Sequence, residues 1–171
     1  MVVTAYIGVG ANLGDAADTV RRAIADINTL PLSRGTKTSS LYATAPLETL
    51  PGYAAGGDYI NAVVELETEL CAPVLLKHLQ QLEQAAGRER PYLNAPRTLD
   101  LDLLLYGTGR IESTDLTVPH LRILQRAFVL VPLAEIAPGL VSSEALKRVS
   151  TQQISLLMAA TLRKVRTSPT R

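Results

Sequence analysis

Tryptophan is absent from the 171-residue sequence and phenylalanine occurs once, at Phe128. The core must therefore be built from Leu, Val, Ala and Ile. A single cysteine, Cys71, excludes an intrachain disulfide and fits a reducing compartment, so a cytoplasmic location is expected. The two histidines, His78 and His120, belong to no Cys/His cluster of zinc spacing. Neither sign of charge dominates: 17 Lys and Arg stand against 16 Asp and Glu, for a net charge of +1. That balance argues against a general nucleic-acid binder, yet leaves room for a local cationic site. Long hydrophobic runs are missing too. The most apolar stretch, "AFVLVPLAEIAPGLV", is broken by Pro132, Glu135 and Pro138, so no membrane span is expected. The N-terminal "MVVTAYIGVGANLG" lacks the basic start of a signal peptide. There is no Walker A motif. Gly8, Gly10 and Gly14 give G-x-G-x-x-x-G, one residue off the dinucleotide fingerprint, and "TKTSSLYAT" offers no ribose-binding acid.

What is present reads as alternating strands and helices. Val3–Val9 alternates apolar and small or polar residues, the period of a strand. Val20, Ala23, Ile24 and Ile27 make one stripe of a helix over about Asp18–Leu30. "TKTSSLYAT" (36–44) reads as a second strand, "YINAVVELET" (59–68) as a third and Leu99–Leu105 as a fourth. Between the last two, a helix over about Pro73–Ala86 is expected, with Leu75, Leu79, Leu82 and Ala86 inward and Gly87 at its end. The order β-α-β-β-α-β predicts an α+β protein with a ferredoxin-like core, an antiparallel sheet, and C-terminal loops and helices. A short helix near 124–135 and another over about Ser150–Arg163, opened by a capping box at Ser150–Gln153, complete the expectation. With no repeat and no linker, residues 1–171 are expected to form one domain with a frayed tail from about 163.

The fourth strand raises a question, because "RTLDLDLLLYG" (97–107) carries Asp100 and Asp102 inside an apolar run. Buried carboxylates without partners are costly. Alternation puts both on one face, with Leu99, Leu101 and Leu103 on the other. Two positions along a strand are roughly 6.6 Å apart, a spacing from which two carboxylates can bracket hard divalent ions. Arg97, with Arg88 and Arg90 on the preceding loop, supplies the forked donors that phosphates need. Paired carboxylates for cations beside three arginines for anions fit a site for a metal-bound polyphosphate. Gln80 and Glu83, three apart on the second helix, are expected to flank its apolar stripe and line a cleft beside the fourth strand. His78 reads as surface or satisfied core. His120, between Thr117 and Arg126, reads as a phosphate-contacting group.

These segments, in this order, resemble one family. "YIGVGANLGD", "TAPL" (44–47), "YINAVVELET", "HLQQLEQAAGRER", "PRTLDLDLLLYG", "LTVPH" and "RAFVLVPLAEIAP" are similar to segments of the 6-hydroxymethyl-7,8-dihydropterin pyrophosphokinases of folate biosynthesis. The resemblance runs from about Tyr6 to Val141. It implies transfer of the β,γ-diphosphate of ATP, the co-substrate, to the pterin's hydroxymethyl oxygen, with release of AMP. It also implies two Mg²⁺ ions held by Asp100 and Asp102, and Arg88 and Arg97 gripping the leaving and transferring groups. Thr44, Pro46, Leu47, Tyr59, Asn61 and Phe128 would form the pterin pocket. Gln80, Glu83, Arg88, Arg90, Arg97, Thr117, His120 and Arg126 would line the nucleotide. Phe128 offers a ring to stack on a flat heterocycle, and Asn61 a donor and an acceptor for an amide edge. The implied partners are small molecules, with no nucleic acid and no membrane; the oligomeric state is not legible. The sequence departs from the family pattern at Leu93-Asn94-Ala95, where an Arg-Trp-Gly run is frequent, and at Asp115 and Leu121. Two other readings share the same residues: a ferredoxin-like binding module without catalysis, and a Mg²⁺-dependent phosphohydrolase.

Overall fold

A computed structural model describes residues 1–45, 57–87 and 98–157. Two pieces of β-α-β come first along the chain. The first is β1 (Val3–Ala11), α1 (Ala16–Asn28) and the broken strand β2 (Ser33–Thr38) and β3 (Tyr42–Thr44). The second is β4 (Tyr59–Thr68), α2 (Ala72–Ala85) and β5 (Asp100–Tyr106). After them come β6 (Ile111–Glu112), β7 (Thr117–Val118), α3 (Ala127–Ile136), α4 (Ser143–Arg148) and β8 (Ser155–Leu156).

The described strands build a six-stranded sheet in the order β5-β1-β4-β3-β8, with β2 also on β4. Every pairing is antiparallel. This is the interleaved ferredoxin-like order, in which each half of the chain contributes strands to both sides of the centre. The α+β expectation stands. The segment 36–44 differs from it in being two strands: Ser39, 6% exposed, turns the chain, and its Oγ accepts from Val63 N–H at 2.9 Å.

Helices α1 and α2 cover one face of the sheet. Their stripes Val20, Ala23, Ile27, Leu75 and Leu79 meet Ala5, Ile7, Val9 and Leu101, all in one core. Asp15 caps α1, its side chain accepting from Asp18 N–H at 2.9 Å, which moves the helix start ahead of the expected Asp18. Gly87, at φ +79°, follows α2 in the left-handed region that glycine tolerates.

Helix α3 lies on the other face, where Val129, Leu133 and Ile136 pack on Val63 and Leu104. Its far end is tied to the sheet: the Glu135 carboxylate accepts from Ser40 N–H, Ser40 Oγ and Tyr42 Oη at 2.8–3.1 Å. A 3₁₀ turn, Ile123–Gln125, leads into it. The expected helix from Ser150 does not begin there. A helix forms earlier, at Ser143–Arg148 with Ser142 as its cap, and residues 150–157 run through a turn into β8. Strand pairing with β3 wins over the capping-box pattern; the rest of that expected helix and the tail lie outside the described residues. No helix among the described residues is long and apolar enough to cross a membrane.

Candidate active site

Helix α3 covers only part of its face of the sheet, and what it leaves open is a cleft of about 760 Å³. Strand alternation sends Tyr6, Gly8 and Gly10 of β1 to this side, with Asn12 just past the strand's end also on the cleft, while Ile7 and Val9 enter the helical core. At the floor stand the two glycines. Gly10 pairs with Asn61 on one neighbour and Asp100 on the other, and Gly8 pairs with Val63 and Asp102. A side chain at Gly10 would come within 3.2 Å of Asn61 Oδ1, and one at Gly8 within 3.4 Å of Leu104 Cδ2. The glycines that tempt a dinucleotide reading are instead the trough between an acidic edge and an amide wall.

The acidic edge answers why a core strand carries two aspartates. Asp100 and Asp102 are half-buried and line the cleft, whereas Leu101 and Leu103 are buried in the helical core. Leu101, between them, is held from behind. Its backbone N–H donates to Glu83 Oε1 at 2.9 Å, and Glu83 is 1% exposed. This corrects the expectation for the second helix. Glu83 faces inward and fixes the β5 backbone, while Gln80, three residues earlier, is exposed. Neither lines the cleft among the described residues.

Across the trough, Asn61 is 6% exposed and donates from Nδ2 to Thr44 Oγ1 at 3.1 Å and Tyr59 O at 3.4 Å. Thr44 and Tyr59 face each other on β3 and β4, and both line the cleft. The third wall is the start of α3, where the Arg126 guanidinium lies 5.3 Å from the centroid of the Phe128 ring, within cation–π range. Sequence reasoning missed Asn12, Arg122, Gln125, Gln152 and Gln153, all of which line the same cleft. Asn12 sits in the quoted "GANLGD", and Arg122 lies four residues before Arg126; Gln125 falls in the helix expected near 124–135, and Gln152 and Gln153 in the one expected over about Ser150–Arg163.

Thr117 and His120 line an adjoining cleft of about 690 Å³, together with Arg110 and Arg148. Gln125 and Gln152 belong to the walls of both clefts. His120 N–H donates to Leu104 O at 3.0 Å, and its Nδ1 accepts from Arg122 N–H at 3.3 Å. Pro46, Leu47, Arg88, Arg90 and Arg97 lie outside the described residues.

Two charged groups under α3 hold the layers together. Burial works to raise the pKa of Glu65, but hydrogen bonds from Thr36, Tyr6 and Lys37 outweigh it and hold the carboxyl below its ordinary value. Burial, reinforced by Glu65, pushes the Tyr6 hydroxyl up to about 12. Lys37 Nζ also donates to Ile136 O at 3.3 Å, at the end of α3.

The donor set at the acidic edge fits a hard divalent cation of Mg²⁺ type. Two carboxylates on one face supply oxygens, and the glycine floor leaves room beside them. Ions of this type take oxygen ligands and bind through one or two carboxylates together with substrate phosphates.

The antiparallel α+β fold thus carries an acid-lined sheet edge that opens on an aromatic and amide pocket. The family model of 7,8-dihydro-6-hydroxymethylpterin-pyrophosphokinase (HPPK) matches residues 6–138. A 2-amino-4-hydroxy-6-hydroxymethyldihydropteridine pyrophosphokinase of Haemophilus influenzae is 43% identical over 140 residues, covering 82% of this chain and 85% of its own. The Bacillus subtilis protein of that name is 42% identical over 132 residues, 77% of each chain. The chain belongs to the HPPK family. In fold it is also similar to a solved HPPK-DHPS in complex with substrates, with TM-score 0.59 at 12% identity; the match covers 80% of this chain and 40% of that one.

Proposed function

We propose that this chain performs the reaction for which its family is named. It transfers the terminal diphosphate of ATP to the hydroxymethyl oxygen of 6-hydroxymethyl-7,8-dihydropterin in folate biosynthesis. The hydroxymethyl oxygen forms a bond to the β-phosphorus as the bond from that phosphorus to the α,β-bridging oxygen breaks. The products are the pterin diphosphate, AMP and a proton. The observation that carries this reading is the rung Asp100–Gly10–Asn61, which sets a cation-holding edge and a heterocycle-reading amide on opposite sides of one open floor.

Each wall has a task. Asn61, buried and fixed by Thr44, presents its amide to the pterin's donor–acceptor edge. Phe128 stacks on the ring, and Tyr59 and Thr44 close the side of the slot. Asp100 and Asp102 would hold two Mg²⁺ ions, which would supply neutralisation of phosphate charge and an acceptor hydroxyl that is easier to deprotonate. Arg126, beside Phe128, meets the phosphate chain where pterin and nucleotide come together, while Thr117 and His120 of the adjoining cleft face the nucleotide. Arg88, Arg90 and Arg97 are assigned to the phosphates from sequence alone. Gln80 keeps its place beside the nucleotide as part of the proposal, and Glu83 acts through β5. Catalysis of this kind consists of holding the reacting oxygens in line and neutralising spreading charge. The test is AMP formation from Mg-ATP with and without 6-hydroxymethyl-7,8-dihydropterin. AMP that appears only with the pterin supports the reading; AMP released equally without it identifies a phosphohydrolase.

A further inference from the structure

Helix α3 begins without a cap of its own. Its N-cap residue is Arg126, extended at φ −126° and ψ 116°, and its side chain makes no capping hydrogen bond. The first N–H groups of any helix lack intrahelical acceptors, and a Ser, Thr, Asp or Asn at the N-cap would ordinarily serve one of them. Here the cap arrives from 25 residues further along the chain. Gln152 Oε1 accepts from Ala127 N–H at 2.8 Å, while Gln152 Nε2 donates to Gln125 O, also at 2.8 Å. One side-chain amide thus pairs with the backbone on both sides of Arg126.

Gln152 is itself anchored. Its N–H donates to Val149 O at 3.0 Å, after α4 has packed Ala145 and Val149 against Ala127 and Leu130. Beyond it, β8 pairs with β3, and Leu157 N–H reaches Leu41 O at 2.8 Å. Residues 149–157 therefore run from the start of α3 to the strand that carries Thr44, joining two walls of the cleft. The segment 149–157 lies beyond residues 6–138, where the family model matches.

We infer that Gln152 is a positioning residue, which caps α3 in place of Arg126 and so sets the backbone that presents Arg126 and Phe128 to the cleft. A conventional N-cap would turn its own side chain back onto the helix. Moving the cap to Gln152 lets the N-cap position carry an arginine directed at Phe128. The inference rests on the reading of Phe128 as the ring that stacks on the pterin.

The test compares Gln152→Met, Gln152→Glu, Phe128→Ala, the double variant Gln152→Met/Phe128→Ala, and Leu146→Ala. The last loosens the same α3–α4 packing without touching the cap. For each, the pterin KM, kcat and thermal midpoint are measured. Gln152→Met should raise the pterin KM roughly five- to twenty-fold, the worth of one or two modest hydrogen bonds, with kcat little changed. Gln152→Glu, which can still accept from Ala127 N–H, should fall between it and the wild type. The double variant should be no worse than Phe128→Ala, and Leu146→Ala should lower the midpoint while leaving KM unchanged. A normal KM in Gln152→Met beside a raised one in Phe128→Ala overturns the inference alone. An equal rise in Leu146→Ala reduces it to general loosening and also overturns it. A normal KM in Phe128→Ala overturns the reading of Phe128 and the inference with it.

Discussion

Asp100 and Asn61 stand on the same rung of the sheet, on either side of Gly10. Two interstrand steps put their backbones roughly 10 Å apart, a span that a pterin hydroxymethyl group and the end of a triphosphate can fill between them. The floor must then be flat. Gly10→Ala places a methyl group 3.2 Å from Asn61 Oδ1, so the amide has to shift. The expected outcome is a pterin KM raised about five- to thirty-fold, the equivalent of about 1–2 kcal/mol of lost hydrogen bonding. Gly8→Ala meets only Leu104 side-chain carbons at 3.4–3.6 Å and should keep the wild-type thermal midpoint. Steady-state kinetics and melting curves on both variants check this.

Glu83 ties α2 to the strand that bears both aspartates. Removing its carboxylate leaves Leu101 N–H buried without that acceptor. Glu83→Ala is expected to destabilise the fold by about 1–3 kcal/mol, and to lower activity by loosening the geometry of Asp100 and Asp102. Denaturant unfolding and AMP formation are the two readouts. Full activity in a destabilised Glu83→Ala protein would show that the brace serves stability only.

Much of this was legible in the sequence, for identifiable reasons. Strand β4 matches the expected 59–68 because Ile60, Ala62, Val64 and Leu66 recur at the period of a strand and enter one core, and the shared face of Asp100 and Asp102 follows from the same period. Glu83 was not legible as a core residue. Its helical position borders the stripe, and only the tertiary contact with Leu101 shows why a carboxylate takes the buried place. The Ser150 capping pattern failed for a related reason: a four-residue local signal gave way to the pairing of Ser155 and Leu156 with Ala43 and Tyr42 of β3, far earlier in the chain. Gln152 was invisible because its partners, Ala127 and Gln125, lie far away in sequence.

The buried Glu65 supplies a pH dependence. Its folded pKa lies below the ordinary 4.5, so the ionised form is favoured by folding. Its stabilising contribution is fully present above about 4.5 and is lost as pH falls through the lower folded value. The difference in thermal midpoint between wild type and Glu65→Gln should hold steady between pH 8 and pH 5 and narrow below about pH 4.5. A difference that widens on acidification would contradict the hydrogen-bonded carboxylate.

The acidic edge is tested most directly by calorimetry with a non-hydrolysable ATP analogue, with and without Mg²⁺, on the wild type and on folded Asp100→Ala/Asp102→Ala protein. Binding that strengthens with Mg²⁺ in the wild type and loses that dependence in the variant is the predicted result. The same Mg²⁺ dependence in both proteins would contradict the site.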